Sequence, residues 1–130
     1  MTSSPMTPSP AERDALFTAL ARALFKRDLD ALYKVVTPDF VWSYHDGLSL
    51  TRVLASPDAI AAHMDERKAF YADHRFHDVV YHHLPEASFM TFRVSETVRA
   101  TGEIRAQSGI ERYVFKDGRI ALKDVYRKPA

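Results

Sequence analysis

Asp28-Leu29-Asp30-Ala31-Leu32-Tyr33-Lys34-Val35-Val36-Thr37-Pro38-Asp39-Phe40-Val41-Trp42-Ser43-Tyr44 is the stretch whose reading decides the fold. Asp28 is suited to cap a short helix whose apolar face is Leu29, Leu32 and Val36. Pro38 disfavours helical backbone at Thr37 and ends it. A strand over 39–45 follows at once. Phe40, Trp42 and Tyr44 point one way along it, and Val41, Ser43 and His45 the other. A helix that gives way directly to an aromatic-faced strand, in a chain that finishes as long alternating strands, predicts a cone. Its curved sheet wraps helices and encloses one apolar pocket.

Upstream, residues 1–8 are Ser, Thr and Pro with two Met and read as a disordered tail. Ser9-Pro10-Ala11-Glu12 carries a cap, a first-turn proline and a capping-box Glu. Leu16, Leu20 and Leu24, with Phe17 beside them, give an amphipathic helix over 10–26. Downstream, Asp46-Gly47 breaks the strand. Ser56-Pro57-Asp58 opens a third helix to about residue 73, with Ile60, His63, Met64, Arg67 and Phe70 or Tyr71 as its buried stripe. The remainder alternates with period two, predicting strands at 75–83, 88–99, 104–116 and 119–128. Pro85-Glu86, Ala100-Thr101-Gly102 and Asp117-Gly118 supply turns, and links this short make successive strands antiparallel. No repeat or internal boundary interrupts 9–130. The class is α+β in a single domain.

The 130 residues suffice for a core that buries roughly two thirds of the unfolded surface. Lys and Arg number 18 against 17 Asp and Glu, interspersed, so no basic stripe is available to follow a phosphate backbone and no nucleic-acid partner is expected. With no cysteine, disulfides, thiolate metal sites and a Cys nucleophile are excluded. No apolar run approaches the roughly 20 residues of a membrane span. The first ten residues lack the basic and apolar segments of a secretory signal. The expectation is a soluble, cytoplasmic protein. A P-loop, a dinucleotide glycine motif and a Gly-x-Ser-x-Gly elbow are all missing, and no cofactor is expected. His82 and His83 point to opposite faces, and His74 and His77 straddle a helix-to-strand junction. Without Cys or a clear carboxylate spacing, no metal site is read.

The order of elements resembles the NTF2-like superfamily, specifically its SnoaL-like and ketosteroid-isomerase-like members. Three segments carry the resemblance. They are Arg27-Asp28-Leu29-Asp30-Ala31-Leu32 leading into Thr37-Pro38-Asp39-Phe40-Val41-Trp42, then Met90-Thr91-Phe92-Arg93-Val94, then Arg112-Tyr113-Val114-Phe115-Lys116-Asp117-Gly118-Arg119-Ile120. It implies three N-terminal helices packed in a curved, mostly antiparallel sheet. The fold hosts isomerases, hydrolases, cyclases, dehydratases and non-catalytic modules, so the resemblance specifies architecture better than reaction. The isomerase pattern mostly fails here. The position resembling its Asp general base holds Tyr44, that of its oxyanion-hole Tyr holds Leu20, and that of its neutral Asp holds Glu111.

Glu111 shares the inward, aromatic face of its strand with Tyr113 and Phe115. A carboxyl desolvated there can act as acid or base; otherwise it pairs with a cation at the sheet surface. Glu96 shares a face with Met90, Phe92, Val94 and Val98. It is a site residue or a rim contact of Gln107 or Arg105, with Gln107 expected opposite it. Tyr44 can orient a ligand or stabilise an oxyanion, or close the core with its hydroxyl at the solvent edge. His63 is a general base or a hydrogen-bonded core residue. Phe40, Trp42, Phe92, Val94, Glu96 and Tyr113 are expected to line the pocket, with Glu111, Tyr44 and His63 as its catalytic groups and no metal.

The hairpin at Phe115-Lys116-Asp117-Gly118-Arg119 stays open. A two-residue turn puts Leu122, Asp124 and Tyr126 inward. A three-residue loop with a bulge puts Lys123, Val125 and Arg127 inward, as the resemblance implies. Val79, Tyr81, Ile110 and Val114 are expected on the outer face, and the resemblance implies a homodimer through it. The functional expectation is binding of a small apolar or aromatic molecule, extending to proton transfer of the isomerase, lyase or hydrolase type. The alternative is a non-catalytic ligand-binding or dimerisation module.

Overall fold

The computed structural model describes residues 7–46 and 49–129. Its elements are α1 (Pro10–Lys26), α2 (Leu29–Val35), β1 (Val36–Asp46), β2 (Ser49–Leu54), α3 (Pro57–Phe70), β3 (Tyr71–His83), β4 (Ser88–Val98), β5 (Ile104–Lys116) and β6 (Arg119–Pro129). The six strands form one curved, unclosed mixed sheet in the order β2-β1-β6-β5-β4-β3. All neighbours are antiparallel except β1 and β6, which run parallel. The α+β cone with three helices is the architecture expected from the sequence. No helix among the described residues is long and apolar enough to cross a membrane.

The caps form as expected. Ser9 and Glu12 exchange hydrogen bonds of 2.8 and 3.2 Å. Asp28 accepts from Ala31 N–H at 3.0 Å and Ser56 from Ala59 N–H at 3.1 Å. Each satisfies an N–H that the first helical turn leaves unpaired. Helix α1 buries Phe17, Leu20 and Ala23, while Leu16 and Leu24 only flank the core. It also buries Arg13, whose guanidinium donates to the carbonyls of Pro8, Leu84 and Pro85 at 2.9, 2.6 and 3.1 Å and to Ser88 Oγ at 3.0 Å. Arg13 thereby stitches the helix to the β3–β4 turn. Of the expected tail, residues 1–6 lie outside the described residues; Pro8 is buried and belongs to this anchor.

Four sequence expectations are corrected. Strand β2, which pairs with β1, was not expected; Gly47 of the expected break lies outside the described residues. Helix α3 stops at Phe70, which is 47% exposed, and β3 begins at Tyr71 because that backbone pairs with Val98. Glu96 lies opposite Arg105, not Gln107, because the loop closes between Val98 and Glu103. Tyr81 faces inward and stacks on Phe17 at 4.6 Å. The β3 register shifts between His77 and Val80, and a shift of this kind changes which residues face the core.

The β5–β6 hairpin combines the two alternatives. Asp117 and Gly118 have φ of 54° and 76°, a two-residue turn with both central residues left-handed. Phe115 then pairs with Ile120, but Val114 pairs with Leu122, leaving Ala121 as an extra residue. This bulge flips the rest of β6. Lys123 faces inward opposite Tyr113, and Asp124 faces outward opposite Arg112. On β1, Pro38 lies where pairing with β6 is interrupted between Val36 and Val41, as a residue without an N–H must.

Candidate functional site

The aromatic face of β1 and the alternating faces of β4, β5 and β6 converge on the concave side of the sheet. Phe40, Trp42, Phe92, Val94 and Tyr113 are all buried there in one core cluster with Phe17, Leu20, Ile60 and Val125. The sequence reading expected these residues to line a pocket; in this structure they are buried and pack on one another. Concavities of about 410 and 430 Å³ lie elsewhere. The first is bordered by Thr37, Pro38, Asp39, Lys116, Asp117 and Arg119, and the second by residues 26–30; no expected site residue lines either.

Inside the cone, Glu111 is 3% exposed and its Oε1 accepts from Lys123 Nζ at 2.6 Å. The Tyr113 hydroxyl donates to the same oxygen, and Lys123 Nζ lies 3.0 Å from that hydroxyl. Burial, with Glu111 beside it, pushes the Tyr113 phenol well above its ordinary range. Glu111 therefore meets its cation inside the cone rather than at the sheet surface. A carboxylate held by an ammonium is a structural ion pair before it is a free acid.

Nearer the mouth, Trp42, Tyr44 and His63 form three adjacent rings, with centroids 5.7 Å apart for Trp42–Tyr44, 5.1 Å for Trp42–His63 and 5.0 Å for Tyr44–His63. His63 comes from α3 and is 5% exposed. Burial, then Arg67 and Arg52, lower its pKa to about 4, so the ring is neutral at physiological pH. Its Nδ1 lies 3.0 Å from Arg52 Nη1. A guanidinium can only donate, so Nδ1 accepts and the proton sits on Nε2. That N–H is buried and meets no partner among the described residues, and the same is true of Trp42 Nε1 and Arg127 Nε. Burial raises the Tyr44 phenol pKa, against the opposing effect of Arg67 and Arg127, and keeps it a neutral hydroxyl.

A second charged cluster gathers around Glu96. Glu96 is 2% exposed, and its Oε2 takes contacts from Arg67 of α3, from His74 Nδ1 at 2.9 Å and from Arg127 Nη1 at 3.1 Å. Burial pushes this carboxyl upward, but the His74 hydrogen bond and the two guanidiniums outweigh it and hold the pKa at about 2. Arg67 and Arg127 in turn lie 6.0 and 5.9 Å from the Tyr44 ring centroid. Glu96 is thus a network residue of the mouth, and its partners are neither Gln107 nor Arg105.

From the sequence His74 was weighed only as a metal ligand, and Arg52 was not singled out. The expected helix ran through residue 73, and this concealed that His74 faces inward opposite Glu96. The alternation His74, Phe76 was the available signal. Arg52 sits on the strand that was not expected.

Comparison with known proteins agrees with this architecture. A search of curated proteins finds no match to the sequence. Among solved structures, an NTF2-like protein from Burkholderia xenovorans LB400 superposes with a TM-score of 0.80 at 13% identity, covering 92% of each chain. An NTF2-like protein of unknown function from Burkholderia pseudomallei gives 0.75 at 18% identity, over 90% of this chain and 91% of the other. A protein with a ketosteroid isomerase-like fold from Catenulispora acidiphila gives 0.66 at 13%, over 85% and 83%. At these identities the likeness is one of fold. The SnoaL-like domain matches residues 17–123, from the first buried aromatic of α1 to the inward lysine of β6, and by that match this chain belongs to the SnoaL-like domain family.

Proposed function

We propose that this chain binds a small apolar or aromatic molecule in the wide half of the cone, and that an oxygen on that molecule accepts hydrogen bonds from Trp42, His63 and Arg127. The observation that carries this reading is the three buried N–H groups around Tyr44 that meet no partner among the described residues. A buried donor left unpaired costs about 1–3 kcal/mol, and a ligand oxygen removes that penalty. Donors of this kind stabilise negative charge as it develops on a carbonyl oxygen, the demand made by proton transfer at an adjacent carbon. Proteins of similar fold, at 16 to 21% identity, carry provisional assignments as a polyketide cyclase, a hydroxylase and an isomerase. Small-molecule chemistry of that kind is the class proposed here. Tyr44 and His63 belong to this site as donors. Glu111 supports it from beneath through Lys123, which lies 5.3 Å from the Trp42 ring.

Trp42 is the single tryptophan of the chain, so the indole N–H gives one resonance that reports on the site directly. Acetophenone should move that resonance downfield and saturably, whereas ethylbenzene, which has no acceptor oxygen, should not. An indole signal indifferent to both compounds, or equally responsive to both, would reject the reading.

The convex face supports a homodimer. Val80, Thr91, Ile110, Tyr126 and His45 form one cross-strand row over five strands, and Val80, Ile110 and Tyr126 are exposed. An exposed apolar row on a sheet face suits a second copy of the chain.

A further inference from the structure

Resting on the proposed binding site, we infer that His74, held by Glu96, is the general base that removes a proton from the bound molecule. Glu96 is buried, ionised and contacted by two guanidiniums, so toward His74 it can only accept. The 2.9 Å contact therefore places a proton on His74 Nδ1. In the neutral ring the lone pair is then on Nε2, the atom turned away from Glu96. A carboxylate that fixes the tautomer and orientation of an imidazole is the arrangement by which hydrolytic triads present a base.

Access separates His74 from the other inward groups. Its side chain is 34% exposed, whereas His63 is buried and carries its proton on Nε2. Glu96 also ties His74 to Arg67 and Arg127, which lie over Tyr44, so base and donors share one rim. The charged and titratable groups around His74 are Glu96 of β4, Arg67 of α3, Arg127 of β6, Arg105 of β5, and Tyr71 and Asp73 of its own strand. The donors of Trp42, His63 and Arg127 would hold an enolate oxygen as the proton leaves for Nε2.

5-Nitrobenzisoxazole tests this without knowledge of the natural substrate. A base takes the C3 proton, the C–H electrons complete a nitrile, the N–O bond breaks, and a coloured phenolate leaves with the electron pair. The parent should turn the compound over with a rate that rises with pH through one ionisation. His74→Ala should lose at least tenfold in kcat, and added imidazole should restore part of it. Glu96→Gln should lower kcat more than it changes KM. Independently, nitrogen-15 spectra of the neutral protein should show His74 as the Nδ1–H tautomer. If the compound shifts the Trp42 indole signal but turns over equally in His74→Ala, or if His74 is the Nε2–H tautomer, the base assignment is wrong while the binding site stands. If the compound leaves the Trp42 signal unmoved, the binding site falls and the base falls with it.

Discussion

Lys123 Nζ lies 2.6 Å from Glu111 Oε1 inside the cone, and both side chains are less than a tenth exposed. Removing one partner of such a pair leaves the other charge buried without compensation, at a cost of about 3–5 kcal/mol. Glu111→Gln should therefore melt below the parent at neutral pH, by roughly 10 °C or more. Combining it with Lys123→Met should recover much of the loss, because the stranded ammonium is gone. A Glu111→Gln protein that melts at or above the parent would free Glu111 to be the catalytic acid once more.

Two titrations should divide the acid side of the stability curve. His63 has a folded-state pKa of about 4 against an ordinary 6.5, so the unfolded chain binds its proton more tightly. Stability from this group is full above pH 6.5 and is lost as pH falls toward 4. Glu96, with about 2 against 4.5, contributes fully above pH 4.5 and loses that contribution as pH falls toward 2. The melting difference between parent and His63→Gln should narrow in the upper window. The difference between parent and Glu96→Gln should hold there and narrow only in the lower one. Coincident windows would contradict the assignment.

Gly109 is required by close approach. A Cβ there would stand 2.5 Å from the Tyr126 carbonyl oxygen and 2.6 Å from Phe92 Cζ. Gly109→Ala should destabilise by about 1–3 kcal/mol, as overpacking does. Adding Phe92→Leu should not restore the parent's melting temperature, because the backbone contact remains. Full rescue would show that the ring alone sets the limit.

The proposed homodimer is checked by light scattering at micromolar concentration. The parent should report twice the 14.8 kDa chain mass, and Ile110→Glu, at the centre of the convex row, should report the monomer. A monomeric parent would reject the interface.

Much of the fold was legible because alternation and capping are local. Phe40, Trp42 and Tyr44 share a face whatever follows them, and Ser9 with Glu12 marks a helix start from four residues. What escaped depended on partners distant in sequence. Strand β2 is six residues long and exists by pairing with β1, so its own residues gave little signal. Arg13 reads as a surface residue of α1 until the turn 84–88 folds back to receive its donors. The site suffered in the same way. Glu111 and Glu96 were singled out correctly as inward carboxylates, but their character is set by Lys123, Arg67, Arg127 and His74, none of which is near them in sequence.

The extra residue at Ala121 has a consequence for descent as well as for packing. The strand beyond it alternates Lys123, Asp124, Val125, Tyr126, and the bulge alone decides that lysine and not aspartate looks at Glu111. A lineage that straightened the bulge at unchanged length would set Glu111 against Asp124, a carboxylate against a carboxylate, and turn Lys123 out toward Arg112, without substituting either side chain. Two opposite interior chemistries thus lie one register step apart on the same scaffold, and relatives whose hairpin keeps this length without the bulge are where the second should be sought.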